Sequence, residues 1–91
     1  MKMIILIVRD HDADNLTQAL TSAEYRVTRV ASTGGFLRSG VITLLIGVED
    51  ERVEPALTLI REKLTHPPSG EKRAERRATL FVVPVERYEQ V

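Results

Sequence analysis

The chain has 91 residues and a mass of 10.2 kDa, the size of one small domain. Its 13 Lys and Arg balance 13 Asp and Glu, and this zero net charge excludes a generally basic nucleic-acid binder and an acidic disordered tail. The absence of cysteine excludes disulfides and favours a reducing compartment. The apolar run of residues 4–8 is too short for a membrane span and has no cleavage site after it. We therefore expect one cytoplasmic domain over residues 1–91.

The first part of the chain predicts two strands with a helix between them. Residues 2–9 are apolar and rich in branched side chains, which is typical of a buried strand. Asp10 opens a helix with an acidic first turn, and Asp12 is its expected N-cap. The more polar residues 25–32 predict a strand at a sheet edge. The helix has one apolar stripe, formed by Leu16, Ala19, Leu20 and Ala23.

The second part predicts two further strands with a helix between them. Glycines in residues 34–40 indicate a loop, and the apolar residues 41–48 predict a strand. A helix starts in the acidic residues 49–51 and is stopped by the Pro- and Gly-containing residues 67–70. The last strand covers residues 78–85, where Pro84 favours an edge position. The apolar face of the second helix consists of Val53, Ala56, Leu57, Ile60 and Leu64.

This β-α-β-β-α-β order predicts the ferredoxin-like arrangement, an α+β fold with a four-stranded antiparallel sheet and two helices on one face. Strands one and three are expected to be the central pair and to lie parallel to each other. Both are apolar at nearly every position, although the helices cover only one sheet face. The simplest cover for the other face is another copy of the chain. The sequence thus predicts a homo-oligomer with bare sheet faces turned inward.

No pattern in the sequence indicates catalysis or a metal. The acids that open the first helix have the alternate spacing of a calcium loop, but Asn15 and Thr21 stand where that loop needs glycine and a bidentate glutamate. The serines and the two histidines lack the partners of a nucleophilic site. The basic residues 72–77 are more typical of a solvated loop than of phosphate contacts. The central strands lack the aromatics on which RNA bases stack.

Residues 26–38 have the composition of a ligand site. They carry arginines at positions 26, 29 and 38, and no acidic residue occurs between positions 24 and 49. The amides of Gly34 and Gly35 can approach an anion closely, and Phe36 and Leu37 could sandwich a planar ring. These features favour a ligand with a phosphate and a base. The alternative is a hairpin loop whose Phe36 and Leu37 pack into the core or a subunit interface.

Four blocks, in order over nearly the whole chain, form one pattern: residues 1–5, 26–40, 47–53 and 78–85. The run Thr-Gly-Gly-Phe-Leu-Arg at 33–38 is the most specific part. The pattern resembles the PII-like cyclic-di-AMP receptors of bacteria. The resemblance implies a homotrimer of ferredoxin-like subunits, a nucleotide between neighbouring subunits, and signalling by loop rearrangement without chemistry. The ligand contacts that it implies are Arg26, Thr28, Gly35, Phe36, Leu37, Gly47, Phe81 and Gln90.

The resemblance also implies what these residues do. Arg26 would face phosphate, Leu37 would pack on a base, and Gly47 would leave room for that base. The remaining implied contacts are the rings of Phe36 and Phe81 and the amide of Gln90.

Three features depart from the family. Asparagine is usual where Glu24 and Val41 stand, and Val41 cannot hydrogen-bond an adenine edge. Glu24 adds negative charge near the expected path of an anionic ligand. Residues 67–77 replace a much longer glycine-containing loop.

Several hypotheses therefore remain open. The first is a cyclic-di-AMP sensor that needs no further cofactor, and the second is a similar trimer that senses ATP, ADP or another anion. A third is a ligand-free module that binds a protein through the loops around Arg38 and residues 72–77. An enzyme comes last, and no pattern identifies a downstream protein partner.

Overall fold

The computed structural model describes residues 1–31, 40–65, 78–89 and 91. The predicted bounds of the first and third strands are confirmed. The second strand begins at Arg26, one residue later than predicted, and the fourth ends at Pro84, one residue earlier. The elements are β1 (Lys2–Arg9), α1 (Asp10–Ser22), β2 (Arg26–Ala31), β3 (Val41–Val48), a short 3₁₀ turn (Asp50–Arg52), α2 (Val53–Thr65) and β4 (Ala78–Pro84).

The strands form one sheet in the order β2-β3-β1-β4. The predicted central pair, β1 and β3, and the predicted edge positions of β2 and β4 are confirmed. The prediction that β1 and β3 lie parallel is wrong, because their register runs antiparallel from Lys2 opposite Val48 to Arg9 opposite Val41. A crossover through a helix keeps β1 and β2 in the same direction, and the following connection reverses the chain. β3 must then run against β1.

Alternate residues of the central strands form the core beneath the two helices. On β1, Ile4, Leu6 and Val8 are at most 2 % exposed, and on β3, Leu44 and Ile46 are completely buried. This alternation is the period of two that a strand imposes on its side chains. The helices contribute Ala13, Leu16, Leu20, Ala56, Leu57 and Ile60 to the same cluster.

The start of α1 differs from the prediction. The helix begins at Asp10, and its N-cap residue is Arg9, which makes no side-chain capping hydrogen bond. Asp12 lies inside the first turn and is buried, so its prediction as the N-cap is wrong. The acidic first turn itself is confirmed. The predicted apolar stripe extends too far, because the helix ends at Ser22 and Ala23 beyond it is exposed.

The sheet surface away from the helices is called the open face here. On the central strands it carries apolar side chains, among them Ile5 and Leu45, and no other described element covers them. Large apolar side chains on the edge strands are left bare: Val30 of β2 is 42 % exposed and Phe81 of β4 is 52 % exposed. The apolar second face that the sequence predicts is therefore present.

Neither described α-helix could cross a membrane, since each has 13 residues and a span needs about 20 apolar ones.

Candidate functional site

A pocket of about 260 Å³ lies on the open face, at the end where β1 and β2 begin and β3 and β4 finish. We call it the sheet-end pocket. Its floor is formed by Met3 of β1 and by Leu45 and Gly47 of β3. Met3 and Gly47 are paired in the antiparallel register, so both present the open face. This floor is apolar and offers a ligand no hydrogen-bonding side chain.

The polar edge of the sheet-end pocket consists of Arg26 and Thr28. They are alternate residues of β2, opposite Gly47 and Leu45 respectively, and so they share the open face. Arg26 is the one charged side chain among the residues that line this pocket in the described part of the chain. An exposed guanidinium beside a hydroxyl and an apolar floor can bind an anion attached to an apolar group.

Arg29 belongs to a different surface. Because strand residues three apart point to opposite faces, Arg29 lies on the helix side, where its Nη1 donates to Asp14 Oδ1 of α1 at 2.5 Å. The sequence grouped Arg29 with Arg26 in one positive segment, and the structure separates them. Arg29 joins β2 to α1 instead of facing a ligand.

The space above Gly47 holds the side chain of Met1. A Cβ atom at position 47 would lie 3.2 Å from Met1 Cε. A methionine methyl group therefore borders the place where the resemblance implies room for a base. Methionine is unbranched and flexible, so an incoming ring can displace it at low cost.

The far wall of the sheet-end pocket comes from the two ends of the described chain. Met1, Val85 and Tyr88 form it. The backbone N–H of Val85 donates to the carbonyl oxygen of Met1 at 3.1 Å, which extends the pairing of β1 with β4 past Pro84. This bond places the residues that follow β4 beside the pocket.

Asp50, next to the pocket, ties down the start of β1. Its Oδ1 lies 3.0 Å from the amino group of Met1 and 3.8 Å from Lys2 Nζ. The hydrogen bond from that amino group, aided by the charge of Lys2, lowers the pKa of Asp50 below its ordinary 3.8. The ion pairs hold the Met1 wall at neutral pH.

Contacts of Arg52 with Tyr25 and Ala23 position the start of β2. The guanidinium of Arg52 lies 4.0 Å from the centroid of the Tyr25 ring, and its Nη2 donates to the carbonyl oxygen of Ala23 at 2.9 Å. The Tyr25 hydroxyl donates to the Arg52 carbonyl oxygen at 3.3 Å. These contacts secure the turn that precedes Arg26.

The turn between α1 and β2 contains Glu24, with a φ of 68°. This left-handed conformation is unfavourable for most side chains and is best tolerated by glycine, asparagine and aspartate. The left-handed backbone at this position therefore explains why the family usually has asparagine here. Glu24 does not line the sheet-end pocket, although it precedes Arg26 by two residues.

Val41 and Phe81, both singled out from the sequence, lie away from this pocket. Val41 begins β3, six residues before Gly47, which corresponds to about 20 Å along a strand. Phe81 occupies the same cross-strand row as Thr28, with Leu45 and Ile5 between them. Three strand spacings make that separation about 14 Å. Phe81 thus lies across the sheet from the polar edge of the pocket, on the strand that leads to Val85.

The structure therefore brings together three of the predicted site residues, Arg26, Thr28 and Gly47. Gly35, Phe36, Leu37 and Gln90, as well as residues 67–77, lie outside the described residues. In the described ranges no group of three or more His, Asp or Glu could hold a metal ion.

Sequence reasoning missed five lining residues. Met3 and Leu45 could have been found, because they share the open face with Arg26 once the strands are placed in register. The other three depend on how the ends of the chain meet, for which the sequence has no signal. They are Met1, Val85 and Tyr88.

Comparison with known proteins identifies the family. The family model described as "Cyclic-di-AMP receptor" matches residues 1–68, which include β1, α1, β2, β3 and α2. Residues 69–91, with Phe81 and Tyr88, lie beyond that match.

Two solved structures share the fold over 99 % of this chain. One is a functionally unknown protein from Pediococcus pentosaceus, 31 % identical with a TM-score of 0.71 and 96 % of its own chain covered. The other is a DUF3240 family protein from Shewanella baltica, 12 % identical with a TM-score of 0.68 and 94 % of its chain covered; it is similar in fold alone. The family match confirms the resemblance and supports a signalling role, since the family is one of receptors and not of enzymes. The chain belongs to the cyclic-di-AMP receptor family.

Proposed function

We propose that this protein is a non-enzymatic PII-like sensor that binds a nucleotide second messenger, cyclic-di-AMP in the first place. One observation carries the proposal. Arg26 and Thr28 come from one block of the family pattern and one strand, and Gly47 comes from another block and another strand, yet all three line one pocket. A phosphate at Arg26 and a base above Gly47 would use both the polar edge and the apolar floor of that pocket.

The size of the pocket bears on how the ligand is bound. Ligand pockets commonly enclose about 300–1,000 Å³, whereas the sheet-end pocket has about 260 Å³. This is room for one base-sized group and not for a whole dinucleotide. A ligand with two bases therefore needs a second surface beyond this pocket.

We infer that neighbouring copies in a homotrimer supply that surface. The open face is apolar, and its bare Phe81, 52 % exposed, lies about 14 Å from Thr28 across the sheet. Packing the open faces inward would bury these side chains and bring Phe81 of one copy towards the sheet-end pocket of the next. The implied contact at Phe81 then operates between subunits.

Light scattering tests the assembly. A trimer has three times the 10.2 kDa subunit mass. A monomer at micromolar concentration would contradict the inference from the apolar open face.

Calorimetric titration tests which nucleotide the protein binds. Purified protein is titrated with cyclic-di-AMP, and with ATP and cyclic-di-GMP in parallel. Saturable binding near one ligand per subunit, selective for cyclic-di-AMP, is the expected result. Trimeric protein that binds ATP but not cyclic-di-AMP would favour the mononucleotide alternative, for which a pocket of one base is large enough. Trimeric protein that binds no nucleotide would contradict the proposal and favour a module that acts through protein contacts.

A further inference from the structure

The wall of the sheet-end pocket contains an aromatic side chain with no assigned role. Tyr88 lies four residues after Pro84, the last residue of β4, and its side chain is 52 % exposed. Within the described ranges it is the one aromatic residue that lines this pocket. A half-exposed aromatic ring at the entrance of an apolar pocket offers a flat surface on which a planar ligand can stack.

A backbone hydrogen bond anchors the segment that carries Tyr88. The bond from Val85 N–H to the Met1 carbonyl fixes its beginning. The two neighbours of Tyr88, Arg87 and Glu89, form an exposed ion pair with each other. A tyrosine ring has few rotatable bonds, so ordering it on a ligand costs little entropy.

The pocket has complementary parts for a nucleotide. Arg26 offers the charge for a phosphate, and the floor at Gly47 offers an apolar surface bordered by the flexible side chain of Met1. What the floor lacks is a ring for a base to stack on. Among the described lining residues Tyr88 alone can provide it.

We propose that Tyr88 is the stacking surface for one base of the nucleotide, in the same subunit whose Arg26 binds the phosphate. This inference rests on the proposed function and assigns a binding role to a residue outside the matched residues 1–68. With Phe81 reaching the site from a neighbouring copy, each ligand would meet one ring from each of two subunits.

Affinity measurements on three variants test the role of the ring. Base–aromatic stacking is worth about 1–3 kcal/mol, so Tyr88→Ala is expected to weaken cyclic-di-AMP binding about 5- to 150-fold. Tyr88→Phe keeps the ring and is expected to stay within about threefold of wild type. Glu86→Gln is the matched control, because Glu86 is exposed on the same segment and does not line the pocket.

A spectroscopic signal distinguishes stacking from a merely structural effect. The chain contains no tryptophan, so Tyr88→Trp introduces a single tryptophan at the pocket wall, which can be excited separately from Tyr25. Cyclic-di-AMP is expected to quench its emission, whereas ribose 5-phosphate, which lacks a base, is expected not to.

The outcomes separate this inference from the proposed function. If wild-type protein binds no cyclic-di-AMP, both are overturned. If wild type binds and Tyr88→Ala binds equally well, the stacking role alone is overturned. If Tyr88→Ala fails to fold by circular dichroism, the fluorescence of Tyr88→Trp decides, and emission that cyclic-di-AMP leaves unchanged rejects the role.

Discussion

Arg26 on β2 lies directly opposite Gly47 on β3 in the antiparallel register. Side chains in that relation normally have Cβ atoms about 4.5–5.5 Å apart, and here one of the two has no side chain. The stem of the arginine therefore has no cross-strand side chain beside it, and the Met1 methyl group borders the space above Gly47. In this pair, Arg26 supplies the positive charge at the edge of the sheet-end pocket, and Gly47 leaves its floor without a side chain of its own.

Arg26→Ala tests whether the positive charge of Arg26 binds the phosphate of the ligand. If Arg26 contacts phosphate, the variant is expected to lose about 1.5–3 kcal/mol of ligand binding, since this is the usual strength of a hydrogen bond to a charged group. Calorimetry measures the loss, and light scattering checks that the assembly is intact. Arg29→Ala is the control on the same strand, because Arg29 binds Asp14 on the opposite face. Unchanged affinity in Arg26→Ala would remove Arg26 from the site.

Gly47→Val tests whether a base of the ligand occupies the space above position 47. The new Cβ would lie 3.2 Å from Met1 Cε, the far end of a flexible side chain that can move aside. Valine also suits a strand, so the thermal midpoint is expected to change little. Its methyl groups would occupy the base space, and ligand binding is expected to fall below detection in calorimetry. A variant that binds like wild type would show that the base does not enter above Gly47.

Glu24 offers a test of backbone strain. Its φ of 68° costs a non-glycine residue about 1–2 kcal/mol, part of which glycine would recover. Glu24→Gly is expected to raise the free energy of unfolding by about 0.5–1 kcal/mol in urea titrations, after the larger chain entropy of glycine is subtracted. Glu24→Gln is the matched control, because it removes the same charge and retains the strain. An equal gain in both variants would attribute the effect to charge.

Asp50 determines a pH dependence. Because the amino group of Met1 and Lys2 lower its pKa below 3.8 in the folded protein, the ionised form stabilises the fold. That contribution is fully present above the unfolded-state pKa and is lost as the pH falls through the lower folded-state value. We expect Asp50→Asn to unfold at lower urea concentration than wild type at neutral pH, and the difference to shrink below pH 3.8. A difference that is constant over this range would contradict the ion pairs.

The strands of this protein were predictable almost to the residue. The bounds of β1 and β3 follow from two almost wholly apolar runs, and their central place follows from their being apolar on both faces at nearly every position. The polarity of β2 and the position of Pro84 identified the edges correctly. The error lay in the direction of β3 relative to β1, because direction depends on how the connections cross and not on the composition of a strand.

The site was predictable only in part. Arg26, Thr28 and Gly47 came from a family pattern, and the register of the sheet explains why they meet. The same register separates Arg29 from them, which charge counting along the chain could not reveal. Phe81 shares their face but lies about 14 Å from Thr28, on the strand at the opposite edge of the sheet.

The sequence by itself determined the secondary structure, the apolar open face and the family, because these depend on patterns of residues close together along the chain. Only the tertiary structure decided that Met1 and Tyr88, from opposite ends of the chain, share a wall with Arg26. Such contacts arise from antiparallel pairing of β1 with β4, which joins residues between 70 and 82 positions apart. No local preference specifies a contact over that distance; the packing of the whole sheet does.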